Sequence, residues 1–484
     1  MADKKFYLLI DIGTGSSRVC LMDNLGKVYD LQHIPNEYQS DKNSGMLIDI
    51  PTFMKNLQSA SKKVLSSFDN HISAITVSGA RQTFFLTDEN QKLLFGIPNI
   101  DSRGERFIND YVDNFIQIQN ITTRGLSADF LAMKLVGLKH DRPELFAKVC
   151  SFTSLSETFA LLFCNKLVIE YSQAVETQLF DLHTKNWNKN LLDIFGLTNI
   201  RLPTIVKTGT KFKVTNLDML ESFGISRQSN CDFVIGGADT QLAMRAITDS
   251  QDTSTLCLVS GTTSPVCIRS KEASSDTNCW LDLDLGGDDY VLEYNPGVTG
   301  LNYEYARQAL LPETSYKEIE KDISLSGEQK VLANLTTQSF RKSTGVNGYG
   351  GWYMLPPFSK KITKKEIVGS VPLDIGFAIS QKIKQLSKTV SNTKDTIIAC
   401  GGGMNSQIIP QVVADITGRA VAIYSDFQEP SIIGCFNVAN EAMGENNQNI
   451  QRPLRFKYQP HKNEKLLHCY HQWQEIGNNT VVKK

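Results

Sequence analysis

Apolar and polar positions follow two rhythms along this chain, one of period two and one of period three to four, and these divide it into strands and helices. The apolar run that begins at Phe6 ends in Asp11. Gly13, Thr14, Gly15, Ser16 and Ser17 follow, Arg18 opens a second β-rich segment, and Asp23-Asn24-Leu25-Gly26 turns it back. Residues 6–30 therefore predict strand, tight turn, strand, turn, strand. After a polar loop at 36–45, Pro51 starts a helix whose apolar residues Phe53, Leu57, Ala60, Val64 and Phe68 are spaced by three and four. Residues 72–78 form a buried strand, which Gly79-Ala80-Arg81-Gln82 interrupts and Thr83 resumes. A short strand over 96–100 ends at Asp101-Ser102-Arg103, and from there to about residue 192 the pattern is mainly helical, including 105–115 and 155–164.

The second half repeats the opening. Residues 256–269 read LCLVSGTTSPVCIR: an apolar run, then Ser260-Gly261-Thr262-Thr263-Ser264, then a second apolar run ending in Arg269. Two glycine–threonine hairpins half a chain apart predict a duplicated architecture whose facing halves hold one polyphosphate. The turn chemistry suits that ligand, because glycine allows a tight backbone and small hydroxyl residues leave N–H and O–H donors against whatever lies on the turn. Two other phosphate loops do not fit. A P-loop needs a Lys-Ser or Lys-Thr pair opening a helix, and a dinucleotide fingerprint needs its glycines to run into one. Here Val19-Cys20-Leu21-Met22 has no helical period, so a hairpin would grip the phosphate.

Further along, residues 233–243 read FVIGGADTQLA, a buried strand running into two glycines with Asp239 at the start of an apolar helix. Asp239 can be a helix N-cap, or a general base that takes a proton from a substrate hydroxyl. Arg81 and Gln82 can be a surface turn or a pair of hydrogen-bonding groups facing a polar ligand. Asp101 and Arg103 can bridge each other, or hold sugar hydroxyls at the carboxyl end of a strand. A polar stretch around 245–254 predicts the hinge between halves, dividing the chain into domains 1–246 and 247–484. The acidic loop at 282–289 has no reading. A glycine–aromatic turn is expected at 347–352, a solvated basic loop at 360–365 and a helix at 374–390. Residues 396–400 form a strand feeding Gly401, Gly402 and Gly403, which admit something flat such as adenine against the backbone. Asn405-Ser406 caps a helix through Ile408, Val412, Val413 and Ile416 that Gly418 ends. A final helix covers 429–443.

Composition narrows the ligand classes. The 484 residues carry a formal net charge of −1, which argues against a broad surface for nucleic acid or anionic membrane. Ten cysteines are scattered without a C-x-x-C pair or a Cys/His cluster, so they read as buried reduced thiols. No secretory signal precedes the first strand and no apolar run approaches about 18 residues, so a cytoplasmic protein is expected.

With these stations in order, the chain resembles the FGGY carbohydrate kinases. The likeness rests on the DxGTxSxR-like turn at 11–18, the GGxDxQ-like block at 236–241, the SGT turn at 260–262 and GGGMNSQIIPQVVADITGRAV at 401–421, which looks like the family's adenosine signature. The resemblance implies an α/β, two-domain actin-like ATPase (ribonuclease H-like) fold, with mixed sheets flanked by helices and a cleft between domains. It implies transfer of the γ-phosphoryl of ATP to a hydroxyl of a small sugar, ketose or polyol, with Mg²⁺. By resemblance Asp239 is the catalytic base and Asp11 helps organise Mg²⁺. Thr14, Gly15, Ser16 and Arg18 face the γ-phosphate; Gly261, Thr262 and Thr263 take the other phosphates. Gly401, Gly402, Gly403 and Asn405 border the adenosine, and Arg81, Gln82, Asp101 and Arg103 occupy the substrate stations. Actin-like kinases are often homodimers, although no exposed apolar stripe marks an interface here.

Glycerol kinases and autoinducer-2 kinases carry Arg-Glu where this chain has Arg81-Gln82, and xylulokinases usually Met-His. Residues 99–103 and 239–242 look closest to the autoinducer-2 kinases. Two features depart from the family: Gly137 stands at the tryptophan station of its other signature, beside Met133-Lys134, and the SGT turn continues Thr-Ser-Pro. The alternative is a switch on the same fold that binds nucleotide and sugar without turnover, which sugar-dependent ADP release would separate from a kinase.

Overall fold

The computed structural model describes residues 4–68, 71–274, 276, 279–336, 350–355, 361–425, 429–447 and 453–479. Residues 347–349 of the expected glycine–aromatic turn and Lys360 of the expected basic loop lie outside these. The chain divides into two compact units. The first comprises residues 1–246, 282–290 and 431–451; the second comprises 247–281, 291–430 and 452–484. Two stretches of the second half of the chain, 282–290 and 431–451, thus pack with the first unit, whereas the sequence had assigned all of 247–484 to one domain.

The first unit is built on a six-stranded sheet in the order Lys211–Lys213, Asp232–Ala238, Ala74–Gly79, Phe6–Ile12, Ser16–Asp23 and Val28–Pro35. Phe6–Ile12 is antiparallel to Ser16–Asp23 and parallel to Ala74–Gly79, which is parallel in turn to Asp232–Ala238; Lys211–Lys213 closes the edge antiparallel. A seven-stranded sheet repeats this grammar: Cys257–Val259 is antiparallel to Val266–Ser270 and parallel to Thr396–Cys400. That strand is parallel to Ala420–Tyr424, with Leu454–Tyr458 antiparallel at the edge. The duplication read from the two hairpins is a duplication of sheet topology.

Burial on both faces explains why the first strand is nearly all apolar. Phe6, Leu8, Ile10 and Ile12 enter one core with Val77, Phe159, Phe163 and Phe233, while Tyr7 and Leu9 enter another with Val234, Leu242, Ile432 and Phe436. A core of Leu373, Phe377, Val412, Tyr470 and Trp473 belongs to the second unit. The ten cysteines form no disulfide, and all but Cys150 are buried.

Helix Ile50–Val64 is capped by Asp49, whose carboxylate accepts from Thr52 N, and the expected helix over 105–115 is a 3₁₀ segment, Glu105–Asn114, followed by an α-helix, Phe115–Thr122. The helix expected to begin at Asp374 begins ten residues earlier, as Lys364–Thr389. Pro372 inside it misled the pattern, because proline usually ends a helix. The start is set by a Thr363–Glu366 capping box, and Asp374 turns inward to accept from Thr336 and from Trp473 Nε1 (2.8 Å).

Candidate functional site

The first hairpin is braced through its carbonyls. Asn36 Nδ2 donates to Gly13 O (2.7 Å), the Tyr38 hydroxyl donates to Thr14 O, and Asn36 N donates to Gly15 O (3.1 Å). With those three oxygens taken from one side, the turn keeps its shape without a ligand. Asn99 Nδ2 donates to Thr14 Oγ1 at 2.7 Å, a link the sequence did not suggest. Arg18 Nη1 donates to Asp11 Oδ2 at 3.1 Å. Asp11 is 5% exposed, and its second oxygen, Oδ1, is buried without a hydrogen-bond partner of good geometry. Burial raises its pKa from the ordinary carboxylate value against the opposing charge of Arg18. The Ser78 hydroxyl beside this carboxyl lowers its pKa in part, and a hard cation would meet the under-satisfied oxygen well. Among the described residues no three acidic, histidine or cysteine side chains cluster as a metal cage. Mg²⁺ held by one or two carboxylates plus substrate phosphates needs none, so the residues fit that ion.

Asp239 stands where strand Asp232–Ala238 passes into helix Asp239–Ile247. The helix runs from Asp239 itself, whose Oδ1 accepts from Thr240 N, the next residue, at 2.8 Å. The carboxyl pKa is pushed up to about 6, first by burial, with Arg81 opposing and Asp11 adding repulsion. Asp239, Arg81 and Asp11 therefore lie within electrostatic reach of each other. The strand can come this close to its neighbour only because of Gly236, where a Cβ would sit 2.1 Å from Val77 O.

Arg81 and Gln82 follow strand Ala74–Gly79, and Gln82 holds a left-handed φ of 63°. A non-glycine residue there is strained, and its carbonyl is held by Lys134 Nζ (2.7 Å), which also donates to Pro98 O (2.8 Å). Lys134 is fully buried, and burial lowers its pKa to about 8. Asp101 and Arg103 bridge each other, with Arg103 Nε 2.8 Å from Asp101 Oδ2. Arg103 also pairs with Asp41, while Met46 N donates to Asp101 Oδ2. Both side chains are buried, and their contacts clamp the 41–46 loop. Gly137 has its reason in the same clamp, since a Cβ there would lie 2.7 Å from Arg103 Cγ.

The stretch 282–289 supplies what the sequence reading missed. Asp282, wholly buried, accepts from Arg81 Nη1 at 3.0 Å and meets Arg124 Nη2. Arg124 pairs with Glu176 Oε1 (3.2 Å), and Glu176 Oε2 accepts from Gln82 Nε2 (2.9 Å). The local sequence around Glu176, SQAVETQL, gives no signal of this role.

In the second unit, strands Cys257–Val259 and Val266–Ser270 carry the second hairpin. It is closed by Gly261 N donating to Thr263 O (2.8 Å) and lined by a hydroxyl chain, Ser260 Oγ to Ser264 Oγ (2.9 Å) to Thr299 Oγ1 (2.8 Å). Gly261 and Thr262 are exposed. Gly401 has φ 93°, and a Cβ there would lie 2.3 Å from Ser260 O; Gly403 abuts Ser260 as well. Only Gly402 of the three opens to space, with Asn405 Nδ2 donating to its carbonyl at 3.0 Å. The glycines thus dock the strand-to-helix turn on the hairpin, which the flat-ligand reading had not foreseen. Helix Ile408–Thr417 follows, with Ser406 Oγ accepting from Ile408 N and Ile409 N and Gly418 ending it at φ 71°.

Two duplicated α/β units with these hairpins have the actin-like ATPase fold, and solved structures of sugar kinases share it across the chain. Xylulose kinase from Lactobacillus acidophilus superposes with TM-score 0.84 at 19% identity, covering 99% of each chain; Plasmodium falciparum glycerol kinase with ADP gives 0.82 at 17%, again over 99% of each. The model for the FGGY family of carbohydrate kinases, N-terminal domain, matches residues 6–245. The putative sugar kinase YoaC of Bacillus subtilis (strain 168) is 30% identical over 446 residues, 91% of either chain. Autoinducer-2 kinase of Salmonella choleraesuis (strain SC-B67) is 22% identical over 479 residues, covering 91% of this chain and 86% of its own. The chain belongs to the FGGY family of carbohydrate kinases, phosphotransferases with an alcohol group as acceptor.

Proposed function

We propose that this kinase transfers the γ-phosphoryl of ATP to a hydroxyl of a small sugar, ketose or polyol, with Asp239 as the base. The observation that carries the reading is the setting of Asp239: a carboxylate on a rigid strand-to-helix turn, beside Arg81, with its pKa pushed up to about 6. A base tuned toward neutrality is still ionised at physiological pH yet takes up a proton more readily than a solvated aspartate. Arg81 opposes that shift and so keeps the group available as a carboxylate.

Bound MgATP supplies the phosphoryl group and the charge that offsets it. Asp11 Oδ1 would hold the ion, and Arg18 fixes the other oxygen of Asp11 so that Oδ1 stays directed. Because the carbonyls of Gly13, Thr14 and Gly15 are engaged from behind, an anion would meet the donor side of the turn formed with Ser16. Gly261, Thr262 and Thr263 would serve the remaining phosphates, and Gly402 with Asn405 the adenosine. Relatives named xylulose kinase and autoinducer-2 kinase favour a ketose-like acceptor.

The test is coupled ADP release from MgATP against xylulose, ribulose, glycerol, erythritol, gluconate and the autoinducer-2 precursor. A responder whose signal disappears in Asp239→Asn supports the reading. ATP binding with no acceptor-dependent release would favour the non-catalytic switch instead.

A further inference from the structure

Five side chains of the first unit are linked in series, Arg81, Asp282, Arg124, Glu176 and Gln82, and the peptide bond between Arg81 and Gln82 closes the ring. The three not used by the proposed chemistry, Arg124, Glu176 and Asp282, are each 2% exposed or less. Charges buried this deeply are expensive unless each has a partner, and two guanidiniums face two carboxylates here. Loop 282–289 is tied down so that Asp282 cannot drift. Gly286 N donates to Glu170 Oε1 (2.7 Å), Lys185 Nζ donates to Gly287 O (2.7 Å), and Gln241 Nε2 donates to Leu283 O (3.2 Å). The last bond comes from the helix that begins with Asp239, so the loop and the proposed base share a support.

Gln82 brings a donor and no charge to this ring. A carboxylate at 82 would put two like charges within hydrogen-bond distance of each other, out of water, whereas the amide donates to Glu176. The ring also sets the charge an acceptor would meet. Arg81 and Arg124 each already hold carboxylates, and the one further negative charge, that of Asp239 when ionised as a base must be, is only balanced by Lys134 on the Gln82 carbonyl. A sugar acid would bring a carboxylate to a place where both guanidiniums are already committed to carboxylates, while a neutral hydroxylated molecule would find donors and acceptors at no such cost.

We propose that Arg124, Glu176 and Asp282 are specificity-determining residues which, through Arg81 and Gln82, admit neutral hydroxyl-bearing acceptors and reject carboxylate-bearing sugar acids. The inference rests on the kinase reading above. It makes 282–289, although remote in sequence, part of the acceptor end of the first unit.

The full-length protein is assayed for ADP release with neutral acceptors (xylulose, ribulose, glycerol) and with gluconate. In the wild type, kcat/KM for the best neutral acceptor exceeds that for gluconate by roughly 100-fold, and Asp282→Asn narrows the gap by about tenfold with the KM for MgATP little changed. Gln82→Glu lowers acceptor kcat/KM by roughly 100-fold, mainly through KM, and adding Glu176→Gln, which restores one amide and one carboxylate, recovers most of it. That pair keeps the ring's net charge and decides the matter should Asp282→Asn fail to fold. Turnover with gluconate as the best acceptor, or a Gln82→Glu enzyme as active as wild type, overturns the inference and leaves the kinase reading intact. So does a cooperatively melting double variant no better than Gln82→Glu alone. Silence from every acceptor removes the kinase reading and this inference with it.

Discussion

The two glycine–threonine hairpins share a backbone plan and differ in chemistry. The first carries an aspartate and an arginine, Asp11 and Arg18, beside the proposed base Asp239 with its raised pKa; the turn of the second carries hydroxyls, relayed from Ser260 through Ser264 to Thr299. They are also braced differently. Side chains of Asn36 and Tyr38 hold the first by its carbonyls, whereas the glycine turn 401–403 packs backbone to backbone against the second. In the proposed mechanism a duplicated sheet divides the labour: charge and proton transfer on one copy, neutral donors on the other. Substitutions in the first should therefore strike turnover, and those in the second nucleotide affinity.

Asp239→Asn should give the largest effect, a fall in kcat of about 10³-fold with the KM for ATP nearly unchanged, read by steady-state ADP release. The same variant sharpens the contrast through stability. Because the folded pKa of Asp239 is raised above its ordinary value, the carboxyl is held protonated more tightly in the folded state. Its ionisation then costs stability, increasingly as pH rises from about 4 to about 6, and in full above that. At pH 7.5 Asp239→Asn should melt roughly 2 °C or more higher than wild type; a lower Tm would break the assignment. Asp11→Asn comes next, with kcat reduced about 100-fold and the Mg²⁺ concentration for half activity raised, measured by magnesium titration.

In the second unit Gly401→Ala should destabilise by about 2 kcal/mol or more, because its φ of 93° and the Ser260 carbonyl leave no room for a Cβ; Gly402→Ala, with open space around it, should melt like wild type. Denaturant midpoints compare the two. The smallest effect belongs to Ser264→Ala, which cuts the hydroxyl chain at a cost of about 1 kcal/mol and raises the KM for ATP less than tenfold. A kcat loss there as large as that of Asp239→Asn would erase the division between hairpins.

Much of this was legible beforehand because it is local. Hairpins, the strand entering Asp239 and the glycine turn before Ile408 announce themselves within a dozen residues, through period and turn chemistry. The repeat of Ser260–Ser264 after Thr14–Ser17 showed the duplication. What escaped depends on contacts far apart in sequence. Asp282 meets Arg81 across 201 positions, and nothing near either residue signals the other. Glu176 and Arg124 look like ordinary charged residues until their burial is seen. Asp101 and Arg103, two residues apart, admitted both a bridge and a sugar contact; the fold shows the bridge, and its tie to the 41–46 loop needed contacts far along the chain. Lys134 was noticed as a signature residue, yet its support of the strained Gln82 carbonyl needed the fold.

The most direct test is the pH dependence of acceptor kcat/KM, from pH 4.5 to 9, for wild type and Asp239→Asn side by side. With Asp239 as the base, wild-type activity falls below about pH 6 with unit slope, and the residual activity of the variant lacks that limb. A wild-type profile flat through pH 5, or the same acid limb retained in Asp239→Asn, would contradict it.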